Sequence, residues 1–154
     1  MKSFSFPLES LRTLRKQRES AAQQRYARAL TLCDGAARLL ALANGELTAG
    51  QEMLAGELVR GTTASRILQL RTWCTVLEIR CHECQAKLTE ARRAAAEAFE
   101  LLTAAARERE ALDKFHEKSQ RLWQRECQQE EQKVFDELAV QRQGNPAMEL
   151  ATLN

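Results

Sequence analysis

From Thr62 to Gln143 the chain runs 82 residues without a glycine or a proline. The stretch is rich in Ala, Leu, Glu, Gln and Arg, the residues that give up least side-chain freedom on entering a helix. As one continuous helix it would extend on the order of 120 Å at 1.5 Å per residue. Its apolar residues fall on a ladder of alternating steps of three and four: Ile67, Leu70, Cys74, Leu77, Cys81, Cys84, Leu88, Ala91, Ala95, Ala98, Leu102 and Ala105. All twelve rungs are apolar, and a seam of that kind demands a second helix laid against it.

The partner can come from upstream. Pro7 has the fixed φ that suits a first helical turn. From Leu8 a ladder runs through Leu11, Arg15, Arg18, Ala22, Arg25, Ala29, Leu32, Ala36, Leu39 and Ala43, with arginine at the three polar rungs nearest the start. The next segment, ANGELTAGQEMLAGELVRGTTAS, holds four glycines between positions 45 and 61. Each interior glycine costs a helix about 1 kcal/mol against alanine, so fraying, a bend or a break is expected there. Thr48 and Gln51 have capping-box spacing for a short helix. Gly61 followed by Thr62 and Thr63 reads as a helix stop and a fresh N-cap.

The expected fold class is therefore all-α: two long helices in an antiparallel coiled-coil hairpin forming one domain over residues 1–143. The first helix spans about 7–43 or reaches 60, the turn region is 44–62, and the second helix spans about 63–143. Residues 144–154, opening with Gly144-Asn145-Pro146, are expected to be a disordered tail. With reversal at Gly61, residue i should face roughly residue 122 minus i, which sets Leu8 opposite about position 114. Beyond Leu112 the same frame turns polar, reading His116, Ser119, Trp123, Glu126, Glu130, Lys133 and Glu137. The second helix is thus expected to overhang by about 30 residues, with Phe115, Leu122, Trp123, Val134, Phe135 and Leu138 lacking an intramolecular cover. Apolar side chains left on a solvated helix mark an interaction surface.

The most chemical-looking motif is CHEC, residues 81–84. A structural zinc site needs four converging ligands, but no second CxxC exists, and His116 and Cys127 lie more than about 40 Å further along the same helix. Cys74, Cys81 and Cys84 occupy seam rungs, where cysteine acts as a small apolar residue. The expectation is seam packing, with no metal and no cofactor; a zinc or redox module is the competing reading. There is no phosphate-binding glycine loop, no nucleophile beside a base and no cleft for paired carboxylates, so no enzyme is expected.

Five cysteines, an odd number, and an N-terminus without an apolar signal core point to a reducing cytoplasm. No stretch approaches a membrane span. Charge is uneven: residues 1–30 hold seven Lys or Arg against two Glu, whereas 126–137 hold five acids against one Lys. The basic flank of Arg12, Arg15, Lys16, Arg18, Arg25 and Arg28 either pairs across the hairpin with Glu97, Glu100, Glu108 and Glu110 or faces an acidic partner. Nucleic acid is not expected, since no aromatic platform or groove-reading motif accompanies these cations. Trp73 lies beside the seam near the turn and either caps the core or marks a binding site.

The opening FSFPLESLRTLRKQRESAAQ, an F-x-F-x-L-x-x-L-x-x-L run followed by basic residues, resembles the N-terminus of the FliJ family of flagellar type III export proteins. The closing EQKVFDELAVQR resembles that family's E-Q-K-x-x-D-E-x-A-x-x-R ending. The resemblance implies a non-enzymatic stalk and adaptor, cytoplasmic and held at the inner-membrane export apparatus only through its partners. Such a stalk inserts into the hexameric export ATPase, promotes its assembly, links it to the cytoplasmic part of the membrane export gate and engages export chaperones. It implies gate contact at Trp73 and Leu77. For the ATPase the expected contacts are at the hairpin's open end: Arg12, Arg15, Arg18, Phe115, Trp123, Gln132, Lys133, Asp136 and Glu137. The stalk protein of a virulence injectisome and a generic coiled-coil scaffold or homodimer are the alternatives.

Overall fold

The computed structural model describes residues 3–143 and is all-α. Helix α1 spans Glu9–Arg60 and helix α2 spans Ala64–Gln143, and the two pack against each other. The expected tail at 144–154 lies outside the described residues. Contacts within the chain divide it into two compact units, Lys16–Arg107 and Met1–Arg15 with Glu108–Asn154.

In Lys16–Arg107 the chain reverses at Gly61. Its φ of +77° lies in the left-handed region that glycine reaches without a Cβ penalty. α2 then begins under a threonine cap: Thr63 Oγ1 accepts from the Arg66 amide at 3.3 Å, and the Thr63 carbonyl accepts from the Ile67 amide at 3.2 Å. The helix stop and cap stand where the sequence puts them.

Of the two extents open for the first helix, ending near 43 or reaching 60, the longer one forms. α1 is uninterrupted to Arg60, and Thr48 caps nothing, its hydroxyl donating back to the Asn44 carbonyl at 2.9 Å within the helix. The cost of the glycines is offset because the seam continues through them, with Leu47, Gly50 and Leu54 all wholly or partly buried. Gly50 is required small. A Cβ there would stand 3.0 Å from Leu77 Cδ1 and 3.6 Å from Cys74 Sγ.

The α2 ladder packs as its spacing predicts, every rung from Ile67 to Ala105 being buried or half-buried. The α1 ladder is half right. Ala22, Ala29, Ala36 and Ala43 face α2, but their companions are Glu19, Tyr26, Cys33 and Leu40, each one position beyond the expected Arg18, Arg25, Leu32 and Leu39. Leu32, taken as a rung, is 70 % exposed. Ala29, Ala95 and Ala98 form a buried cluster, with Tyr26 and Cys33 packed against it. The register is displaced by about one helical turn from the 122-minus-i estimate: Arg80 Nη1 meets Glu46 Oε2 at 2.9 Å, where position 76 was expected opposite Glu46.

Candidate functional site

The second unit holds most of the candidate contacts. Its extended opening residues precede Pro7 and lie across α2. Phe6 is buried, its ring centroid 4.8 Å from that of His116 and 5.8 Å from that of Phe115. Phe4 stands 5.6 Å from His116 and 5.7 Å from Trp123. These tilted and edge-on arrangements are favoured between aromatic rings. Phe115 and Trp123, expected to be uncovered, are therefore partly covered by Phe6 and Phe4, and His116, Ser119 and Trp123 continue the α2 frame as half-buried rungs. Leu122, Val134, Phe135 and Leu138 are exposed, as anticipated.

Polar contacts secure the same unit. Arg12 Nε donates to Asp113 Oδ1 at 2.7 Å, and Arg109 Nη1 donates to Asp113 Oδ2 at 2.8 Å, so one carboxylate joins the two helices. The hydrogen bond to Asp113 raises the Arg12 pKa above its ordinary value. Arg15 Nη1 pairs with Glu108 Oε2, one of the cross-hairpin pairs expected. Arg12 takes Asp113 in place of the acids proposed for it, while Glu97 pairs along its own helix with Arg93 at 3.8 Å and Glu110 with Arg109 at 3.9 Å.

Arg12 and Arg15 thus serve the fold as well as the surface. Gln132, Lys133, Asp136 and Glu137 are exposed on the last turns of α2. Gln132 and Lys133 share a polar strip with Arg125, Gln128 and Gln129. A different strip forms an open groove of about 820 Å³ in which Trp123, Cys127, Val134 and Phe135 lie beside Glu126, Glu130 and Glu131. Arg18 is exposed on α1 within Lys16–Arg107. The sequence reading missed Phe4 and Phe6 as covers and Asp113 as the ionic link. The F-x-F before Pro7 was the available signal for the first pair.

Near the turn the two gate candidates differ. Trp73 is 54 % exposed, whereas Leu77 is 2 % exposed and pressed against Gly50. Leu77 has no free surface in this conformation; Val76 and Ile79 are the exposed apolar residues beside Trp73. In CHEC, Cys81 and Cys84 are half-buried in the seam and His82 and Glu83 are exposed. Among the described residues no three His, Cys, Asp or Glu side chains converge as a metal site, and no helix is long and apolar enough to cross a membrane.

Residues 4–147 match the family described as flagellar FliJ protein. The chain belongs to the FliJ family. The matched range takes in both the FSFPLES opening and the EQKVFDELAVQR ending. Among solved structures, the CT670 protein of Chlamydia trachomatis, described as a YscO homolog, has the same fold. Its TM-score is 0.61 at 20 % identity, over 92 % of this FliJ-family chain and 96 % of that one. No curated protein sequence matches the chain.

Proposed function

We propose that the chain is a non-enzymatic stalk and adaptor of a flagellar type III protein export apparatus. The observation that carries this reading is the FliJ-family match across residues 4–147, which coincides with two long helices in an antiparallel pair. In this reading the unit that contains both Phe4 and Glu137 inserts into the hexameric export ATPase and promotes its assembly. Arg12, Arg15, Arg18, Phe115, Trp123, Gln132, Lys133, Asp136 and Glu137 supply the contacts. The exposed indole of Trp73 meets the cytoplasmic part of the membrane export gate, and export chaperones are further partners. The chain is held at the membrane only through those partners.

The purified chain is expected to raise both oligomerisation and ATP hydrolysis of the export ATPase from the same source. Absence of both effects would overturn the reading. A second reading, the stalk of a virulence injectisome, is supported by the fold shared with the YscO homolog. Stimulation of an injectisome ATPase with none of the flagellar enzyme would select it.

A further inference from the structure

The last turns of α2 carry an apolar strip bordered by carboxylates. At about 100° per residue, Trp123, Cys127 and Val134 fall within roughly 40° of one another around the helix, with Glu126 and Glu130 along one border and Glu131 along the other. These residues line the groove of about 820 Å³ together with Phe135, which is 70 % exposed and lies beyond Glu131 around the helix. Phe4 covers one side of the Trp123 ring. None of Glu126, Glu130 and Glu131 has an ion-pair partner among the described residues. The single Lys of residues 126–137, Lys133, lies with Arg125 on the polar strip and stands three residues from Glu130, one cation against three carboxylates.

We propose that this groove is a docking site for a basic amphipathic helix of a partner protein. An apolar strip on a helix is covered best by the apolar face of another helix. The two acidic borders then select the occupant by its flanks, since an incoming helix must carry Lys or Arg beside its apolar residues to avoid like-charge repulsion. A second copy of the same strip is disfavoured by that argument, because it would set three unpaired carboxylates against three. Trp123 at one end of the groove supplies the large, partly desolvated aromatic contact typical of binding hot spots. The inference deepens the proposed function, resting on it only for the assignment of this end of α2 as partner-facing.

The test uses the full chain with Trp73→Phe, which leaves Trp123 as its only indole. It is titrated with a synthetic three-heptad peptide bearing Leu at the core positions and Lys elsewhere, and with the same peptide bearing Glu for Lys. A saturable one-to-one change in Trp123 emission is expected with the Lys peptide alone. Affinity should fall about ten-fold in Glu130→Lys/Glu131→Lys and again in Val134→Asp. An absent response, an equal response to the Glu peptide, or a response that survives both substitutions overturns the proposal. So does a dimer in sedimentation that Val134→Asp abolishes, since the strip would then belong to a second copy. Should Val134→Asp lose helicity by circular dichroism, the charge reversal at exposed positions decides alone. Peptide binding without stimulation of the export ATPase leaves this inference standing and removes the stalk reading; stimulation without peptide binding does the reverse.

Discussion

Leu77 Cδ1 lies 3.0 Å from where a Cβ on Gly50 would stand, so any side chain at position 50 would press on Leu77. Gly45, five residues earlier on α1, has nothing within 4 Å of its corresponding position. The two glycines should therefore respond oppositely to the same change. Gly45→Ala is expected to stabilise the chain by about 0.5–1 kcal/mol through helix propensity. Gly50→Val is expected to destabilise it by about 1–3 kcal/mol, because Leu77 is buried and has little room to retreat. Urea unfolding followed by circular dichroism checks both; equal effects at the two positions would contradict the packing.

The opening residues hold the far part of α2 through aromatic contacts and through the Arg12–Asp113 pair. Phe6→Ala removes the one buried aromatic of that unit and is expected to cost about 2–3 kcal/mol locally, below the largest core values because neighbouring rings can settle into the space. Phe4→Ala should uncover Trp123. Its emission should shift to the red in a Trp73→Phe background, while helix content stays unchanged. Hydrogen exchange at residues 108–123 should quicken in Phe6→Ala and not at residues 64–100, since separate cooperative units open separately.

Sequence periodicity was decisive in α2 because twelve consecutive apolar rungs exclude any other frame. In α1 the shared rungs Ala22, Ala29, Ala36 and Ala43 are small and tolerate either neighbour, so the spacing admits Leu32 and Leu39 as readily as Cys33 and Leu40, although the latter pair packs. The glycine-rich segment left a helix ending near 43 and one reaching 60 both open because propensity is local, whereas Leu47, Gly50 and Leu54 are held by α2. The aromatic cover escaped periodicity altogether, since Phe4 and Phe6 belong to an extended segment outside both helices. The acidic groove was visible only in part: the acids and apolar residues of the overhang could be counted, but the seam frame runs on through Glu126, Glu130 and Lys133 and does not divide them into strips.

The seam cysteines offer a graded test of packing. Cys74 is buried while Cys81 and Cys84 are half-buried. Cys74→Ser places a hydroxyl against Gly50 and Leu77 and is expected to cost about 1–3 kcal/mol. The same change at Cys81 or Cys84 should cost less, because solvent reaches the new hydroxyl. Elemental analysis of the purified chain should find no stoichiometric zinc, and Cys81→Ala/Cys84→Ala should keep full helicity. Bound zinc lost in that variant together with helix content would instead assign the motif to metal.

Trp73 and Leu77 were paired as export-gate contacts, and their different burial separates recognition from folding. Trp73→Ala removes an indole that is 54 % exposed, so it should lower the unfolding midpoint less than Leu77→Ala does while weakening capture of the gate's cytoplasmic part. Leu77→Ala opens the seam opposite Gly50 and is expected to cost about 2–4 kcal/mol. Any loss of gate binding in Leu77→Ala should recover at lower temperature, where the folded population is restored, because that residue acts through the seam. Loss in Trp73→Ala should not recover, because the contact itself is gone. Paired pull-down and thermal-melt measurements at two temperatures distinguish these outcomes, and a Leu77→Ala variant that folds normally yet fails to bind would return that residue to the interface.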